Sequence, residues 1–333
     1  MNGDDAHAGG RPDPTDGSPP VPPTAPVPPA ARLRPAGPGR VIVVGDLVTD
    51  VVAVLAGPLA TGSDTPATIR FTGGGQAANT AVWLAGLGVP VTLVAAVGDD
   101  EPGRARVAEL TRTGVDCAVT AYADRPTGSV VVLASAGERT MLTERGANQR
   151  LTGAQVTAAL ADRPDAGHLH LSAYPLLDPA SRAAGRRALA VARERGLTSS
   201  VDAASAAPLR QVGAAAFLDW VRDVDLLLVN ADEAAVLAPD ADPVTQARTL
   251  TAIARNVVVK RGPAGAVWVG PDGTVTSTPG RRTPTVDATG AGDAFAAGLI
   301  AGWSAGVTRA EALADAAELG ARAVSTIGAR PAR

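Results

Sequence analysis

The sequence predicts an α/β fold in which a parallel sheet carries helices on both faces. Three features predict it. Short apolar runs and helical segments alternate from Leu151 to Lys260, the pattern of strands joined by helical crossovers. Runs such as Val41-Ile42-Val43-Val44 and Leu226-Leu227-Leu228-Val229 are continuously apolar, as in strands buried on both faces. Glycine-rich turns at 73–75 and 288–292 lead directly into helical segments.

Taken in order, residues 1–39 are rich in Pro, Gly, Asp and Ala, with almost no large apolar side chains. Such a segment cannot bury enough surface to offset its ordering entropy, so a disordered tail is expected there and the ordered domain spans 40–333. Pro19 to Pro29 favours an extended polyproline conformation. The first strand, 41–44, runs into Gly45-Asp46-Leu47-Val48-Thr49-Asp50. Ligands of open α/β sheets sit beyond the carboxyl ends of strands, which puts Asp46 and Asp50 at a binding edge. For Asp50 a turn-forming role fits equally well. Residues 51–72 alternate in the manner of β structure around a loop at 57–66. Gly73-Gly74-Gly75 then opens a helix that carries Asn79 in its first turns, where its amide offers a donor and an acceptor.

A strand at 91–97 and a helix at 102–113 follow, then a hairpin pairing 130–133 with 140–143. Beyond it come helix 152–161, strand 168–172, helix 179–195, strand 197–201 and a helix ending near 222. Strand 224–229, helices 231–238 and 243–254, and strand 256–260 complete the alternation. A short hairpin (267–269 with 274–276) precedes the glycine turn, and a last helix covers 309–325.

Composition narrows the function. The 333 residues are 46% hydrophobic and 19% charged, enough for a packed core. A net charge of −3 leaves no basic footprint for nucleic acid. Cys117, the only cysteine, cannot form an internal disulfide and fits a reducing cytoplasm. No apolar run reaches membrane-span length, and the N-terminus lacks a signal-peptide layout. Neither a Gly-x-x-x-x-Gly-Lys-Ser/Thr loop nor a full dinucleotide fingerprint is present.

The chemistry centres on Val286 to Leu299, where a turn of small residues runs into an apolar helix. Outward-facing N–H groups and the helix N-terminus suit an anion, above all a phosphate in transfer. Asp293 could be a simple dipole partner there. In an anion-binding turn, however, a carboxylate repels the ligand unless it has a task, such as taking a proton from an attacking hydroxyl. Asn230 and Glu233, three apart after an apolar strand, share a helical face; alone they read as a capped helix start. Lys260-Arg261-Gly262-Pro263-Ala264-Gly265 ends another strand and reads alone as a basic turn. His168 and His170 point to one face of a strand, and the lack of a third ligand nearby weighs against a metal pair.

Asp287-x-Thr289-Gly290-Ala291-Gly292-Asp293-x-Phe295 closely resembles the C-terminal signature of the ribokinase-like (PfkB) family of carbohydrate and nucleoside kinases. The segment at 73–88 and Asn230-x-x-Glu233 extend the resemblance over residue 40 to the end. It implies a ribokinase-like three-layer α/β/α sandwich with a mostly parallel central sheet, and a small β-sheet lid from segments near 48–72 and 117–143. The implied reaction is ATP-dependent phosphorylation of a hydroxymethyl group on a small sugar or sugar acid. By the resemblance, Asp293 is the base and the N–H groups of Gly290, Ala291 and Gly292 form the anion hole. Asp50, Gly74, Gly75 and Asn79 hold the sugar, while Asn230 and Glu233 organise Mg²⁺, its waters and the phosphates. Lys260, Gly262 and Gly265 run along the nucleotide, and Asp287 matches a monovalent-cation position, so K⁺ activation is implied.

The chain departs from ribokinases proper. Val48 replaces an Asn that contacts ribose, Tyr174 stands where a sugar-binding Glu is found, and small residues surround Ala317 near the adenine position. Homodimerisation through the lid is a further expectation from the family. The runner-up reading is an adenosine or pseudouridine kinase, with Phe71 and Tyr122 as the lid aromatics that would cover a base. A catalytically silent sugar-binding regulator of the same fold is the third, disfavoured by the intact Asp293 turn.

Overall fold

The computed structural model describes residues 39–135, 138–326 and 328–331. The expected tail, apart from Gly39, and the hairpin turn at 136–137 lie outside the described residues. The first half contains β1 (Arg40–Val44), β2 (Val48–Leu55), β3 (Ala67–Gly74), α1 (Gln76–Gly86), β4 (Val91–Gly98), α2 (Glu101–Arg112), β5 (Asp116–Tyr122), β6 (Gly128–Ser135) and β7 (Glu138–Glu144). Next come α3 (Gly153–Ala161), β8 (Ala166–Ser172), α4 (Tyr174–Leu177), α5 (Arg182–Glu194), β9 (Thr198–Asp202), α6 (Ala206–Val212), α7 (Ala214–Trp220) and β10 (Leu226–Asn230). The chain continues through α8 (Ala231–Leu237), α9 (Pro243–Leu250), β11 (Val257–Lys260), β12 (Ala266–Val269), β13 (Val275–Thr278), α10 (Ala291–Ser304) and α11 (Arg309–Val324).

The large sheet has the order β13-β12-β11-β10-β9-β8-β1-β4-β5. All its strands are parallel except β12 and β13, which form the antiparallel edge. Alternate residues of each strand serve opposite cores, which explains the continuous apolar runs. Ile42, Val44, Leu227 and Val229 pack beneath α3 and α5 to α9. Val41 and Val43 pack on the other face against α1 and α10, and Leu226, Leu228 and Trp268 against α10 and α11. The result is a three-layer α/β/α sandwich. Chain order reverses between β1 and β8, so the crevice above their carboxyl ends is a topological switch point.

The second sheet, β3-β2-β6-β7, is the lid. Its membership differs from the expected segments at one place. Residues 116–122 pair in parallel with β4 at the edge of the large sheet. Asp116 is fixed there by Arg163 at 2.7 Å. A half-exposed edge strand alternates as a lid strand does, so periodicity could not separate the two. Tyr122 goes with it. Its hydroxyl donates to the Arg150 carbonyl (3.0 Å) and receives Gln155 Nε2 (2.7 Å). The helix expected to end near 222 is two helices, α6 and α7, broken at Gly213.

Candidate functional site

The parallel strands deliver their last residues to one crest: Asp46 follows β1, Ser172 ends β8, Asp202 ends β9, Asn230 ends β10 and Lys260 ends β11. Helices α1 and α10 pack beside each other and point their glycine-opened N-termini at the same crest. Gly290, the N-cap of α10, has φ 75, and a Cβ on it would lie 2.5 Å from the Ala329 backbone. Only glycine fits that turn. In the first turn behind it, the amides of Gly292 and Asp293 have no carbonyl acceptor four residues back inside the helix. The Ala291 amide reaches the Ala288 carbonyl at 3.4 Å.

Asp293 stands where the two helices meet. Its Oδ2 accepts from Asn79 Nδ2 at 2.9 Å. Burial pushes the carboxyl up to about 7, with Asn79 and Lys260 opposing and Asp202 adding to the shift. The residue as a whole is half-buried rather than sealed, and its carboxyl can take up a proton near neutral pH. Lys260 Nζ donates to Asp202 and sits 3.5 Å from where a Cβ on Gly292 would be. Burial works against its ammonium, but Asp202, Glu233 and Asp293 outweigh burial and hold its pKa above the ordinary value. Asp202 also accepts from Gln76 Nε2 (3.0 Å), and Ser172 Oγ donates to Gln76 Oε1 (2.6 Å).

Asn230 and Glu233 form a reciprocal cap at the start of α8. The Glu233 amide donates to Asn230 Oδ1 (2.9 Å), and the Asn230 amide donates to Glu233 Oε2 (2.8 Å). The simple capping role is therefore present, but it is not the whole account. Glu233 is only 1% exposed. Burial first, then Asp202, raises its pKa well above the usual carboxylate range. Asn230 and Lys260 stay on the wall of a cavity of about 820 Å³ that also takes in Gly262, Gly265, Gly292 and Ala317. The Lys260–Gly265 turn, Asn230 and the first turn of α10 thus share one chamber.

On the other side of Asp293 lie the residues expected to hold an acceptor. Asp50, on β2, packs against Gly74, where a Cβ would fall 2.1 Å from Asp50 Oδ1. The missing side chain makes room for the carboxylate. Burial pushes Asp50 up to about 6, with Arg330 opposing. Gly75 is the N-cap of α1. Tyr174 opens α4, with the Arg145 guanidinium 4.3 Å above its ring, and burial raises its hydroxyl pKa. Asp287 holds the turn together. Its Oδ1 receives the Thr289 amide and hydroxyl (2.9 and 2.6 Å), and its Oδ2 the Gly328 amide (3.0 Å).

Arg330 escaped the sequence reading. It lies past the last helix, where no pattern marks it. In the structure its Nε donates to Asn79 Oδ1 (3.0 Å), Nη1 to Glu109 Oε1 (2.7 Å) and Nη2 to the Gly74 carbonyl (3.2 Å). Asp202 and Gln76 were missed as well. A β-strand end after an apolar run was a usable signal for Asp202. His168 and His170 meet at one hydroxyl. Both are buried, both bond to Ser200 Oγ (2.7 and 2.8 Å), and burial lowers them to about 3 and about 4.

The family profile described as pfkB family carbohydrate kinase matches residues 39–333. The ATP-dependent ribose-1-phosphate kinase of Halopiger xanaduensis is 33% identical over 265 residues, 79% of this chain and 84% of that protein. Fructokinase-1 of Oryza sativa is 29% identical over 273 residues, 78% and 81% of the two chains. An Escherichia coli structure solved with ATP and Mg²⁺ superposes with a TM-score of 0.78 at 23% identity, covering 87% of this chain and 94% of its own, a likeness of fold.

Proposed function

The chain belongs to the pfkB family of carbohydrate kinases, and from that premise we propose that it transfers the γ-phosphoryl group of ATP to a hydroxymethyl group of a small sugar or sugar acid. The observation that carries this reading is the position of Asp293. It lies between the 820 Å³ cavity at Asn230 and Lys260 and the acceptor-side cluster of Asp50, Gly74 and Asn79. A hydroxymethyl oxygen held there attacks the γ-phosphorus as its proton passes to Asp293. The bond from that phosphorus to the β–γ bridging oxygen breaks, and ADP leaves. The Gly290–Gly292 turn offers main-chain N–H groups to the charge that develops on the transferred group.

Bound ATP supplies the phosphoryl group, and Mg²⁺ screens its charge. Asn230, Glu233 and Lys260 fit that pair. A single carboxylate suits Mg²⁺, which keeps most of its waters, and the Lys260 ammonium faces the first turn of α10. Adenine would rest on Phe295 and the small residues around Ala317, which line the same cavity. Asp287 ties the turn to Gly328, and a K⁺ ion beside it would reinforce that tie, so K⁺ activation belongs to this reading.

The nucleoside-kinase alternative loses its aromatic cover. Phe71 neighbours Thr72, the register partner of Asp50, and so points to the opposite face of the lid; Tyr122 is in the large sheet. That opposite face carries Ile69, Phe71 and Leu142, exposed by 58%, 71% and 56%, and fits a second copy of the lid. The reading is tested by ADP release with Mg-ATP and K⁺ across ribose, fructose, 2-keto-3-deoxygluconate, adenosine and pseudouridine. A sugar or sugar-acid response supports it. A response to nucleosides alone replaces it, and ATP binding without turnover on any acceptor favours the silent regulator.

A further inference from the structure

Helix α2 presents Arg106 and Glu109, one turn apart, to the acceptor side of the site. Glu109 divides its carboxylate between two guanidinium groups: Oε1 receives Arg330 Nη1 at 2.7 Å, and Oε2 stands 3.2 Å from Arg106 Nη1. The two arginines differ in what else they hold. Arg330 has a partner for each of its three nitrogens, in Asn79, Glu109 and the Gly74 carbonyl. Arg106 Nη1 has the Glu109 ion pair, while its buried Nε makes no hydrogen bond. A buried guanidinium N–H without an acceptor is costly unless something accepts from it.

The surroundings say what that something is. Both arginines lie close enough to Asp50 to pull its carboxyl pKa down. Asp50, whose carboxyl burial takes to about 6, and Glu109 are the carboxylates that face the two cations. The row Asp293–Asn79–Arg330–Glu109–Arg106 is continuous in hydrogen bonds and one ion pair. It puts the Asp293 carboxylate at one end and the underused guanidinium at the other. A molecule with its hydroxymethyl group at Asp293 and its body along this row brings its far end toward Arg106.

We propose that the acceptor carries an anionic group, a phosphomonoester or a carboxylate, remote from the hydroxymethyl group, and that Arg106 receives it with Arg330 behind. This rests on the kinase reading above and narrows its substrate class. Arginine suits either anion, because its planar fork matches two oxygens at once. Glu109 becomes the positioning residue that keeps the two guanidinium groups together until the anion arrives.

The test compares matched pairs: ribose with ribose 1-phosphate, fructose with fructose 1-phosphate, and glucose with gluconate. ADP release gives kcat/KM for each with the full chain and with Arg106→Met and Arg106→Lys, after thermal melts have verified folding. At least one anionic member is expected to exceed its neutral partner by about 100-fold or more. The pair that responds says whether phosphate or carboxylate is read. Arg106→Met is expected to raise KM for that acceptor about 10-fold or more with a much smaller change in kcat, and Arg106→Lys to recover part of it. Equal use of neutral and anionic partners overturns the proposal, as does an unchanged KM in Arg106→Met. Absence of ADP release with every acceptor is a failure of the kinase reading instead. Calorimetry with the same six compounds then decides: an anion that binds and is weakened by Arg106→Met supports the subsite, and no preference for anions sinks it.

Discussion

Replacing Asn79 by Ala is expected to move the acid limb of the kcat/KM profile to higher pH. The carboxyl of Asp293 is pushed up to about 7, mainly by burial, while the hydrogen bond from Asn79 Nδ2 pulls it down. A proton acceptor must be ionised, so activity is retained above about 7 and lost as the pH falls through that value. A hydrogen bond to a charged group contributes about 1.5–3 kcal/mol, and about 1.4 kcal/mol corresponds to one pH unit. Removing Asn79 therefore raises the limb by roughly one to two units. The assay is initial-rate ADP release at low acceptor concentration, followed on both sides of the limb, with melts at each pH. An ionising acceptor contributes equally to both profiles, so the difference between them belongs to the protein. A limb that stays in place, or moves to lower pH, refutes the link between Asn79 and the Asp293 proton.

Asp293→Asn should keep ATP binding and lose turnover by about a thousandfold or more. The same change is expected to raise Tm at pH 8, because a carboxyl with a raised folded-state pKa destabilises the fold once it ionises; an unchanged or lowered melt by calorimetry would contradict that sign. Gly74→Ala drives a Cβ into the Asp50 carboxylate, so KM for the acceptor should rise while the Kd for ATP, by calorimetry, holds; equal loss of both argues for general misfolding. Phe71→Asp places a charge on the exposed lid face and should convert a dimer to a monomer in light scattering; an identical mass for both proteins, whatever its value, removes that face as an interface.

Much of the fold was legible because parallel strands are buried on both faces and therefore leave continuous apolar runs, as in 41–44 and 226–229. The glycine turns were legible for a related reason. Gly290 needs a positive φ and Gly74 must leave room for a carboxylate, and no other residue type does either. The edge strand at 116–122 was not legible as part of the large sheet, since partial exposure gives it the alternation of a lid strand. Arg330 and Arg106 were invisible for a different reason. Each sits among ordinary surface-like residues, and only the closure of the C-terminal segment onto α1 and α2 brings them to Asn79 and Glu109. Asn230 shows how one side chain can cap a helix and also line a cavity, which spacing alone cannot separate.

The central claim is transfer of phosphate to a primary hydroxyl, and the most direct measurement is the structure of the product. With the acceptor identified by ADP release, ³¹P–¹H correlation spectroscopy of the purified product should show a phosphomonoester coupled to the two protons of a CH₂–O group. Phosphate on a secondary carbon, or phosphorus recovered only as inorganic phosphate, would contradict the account.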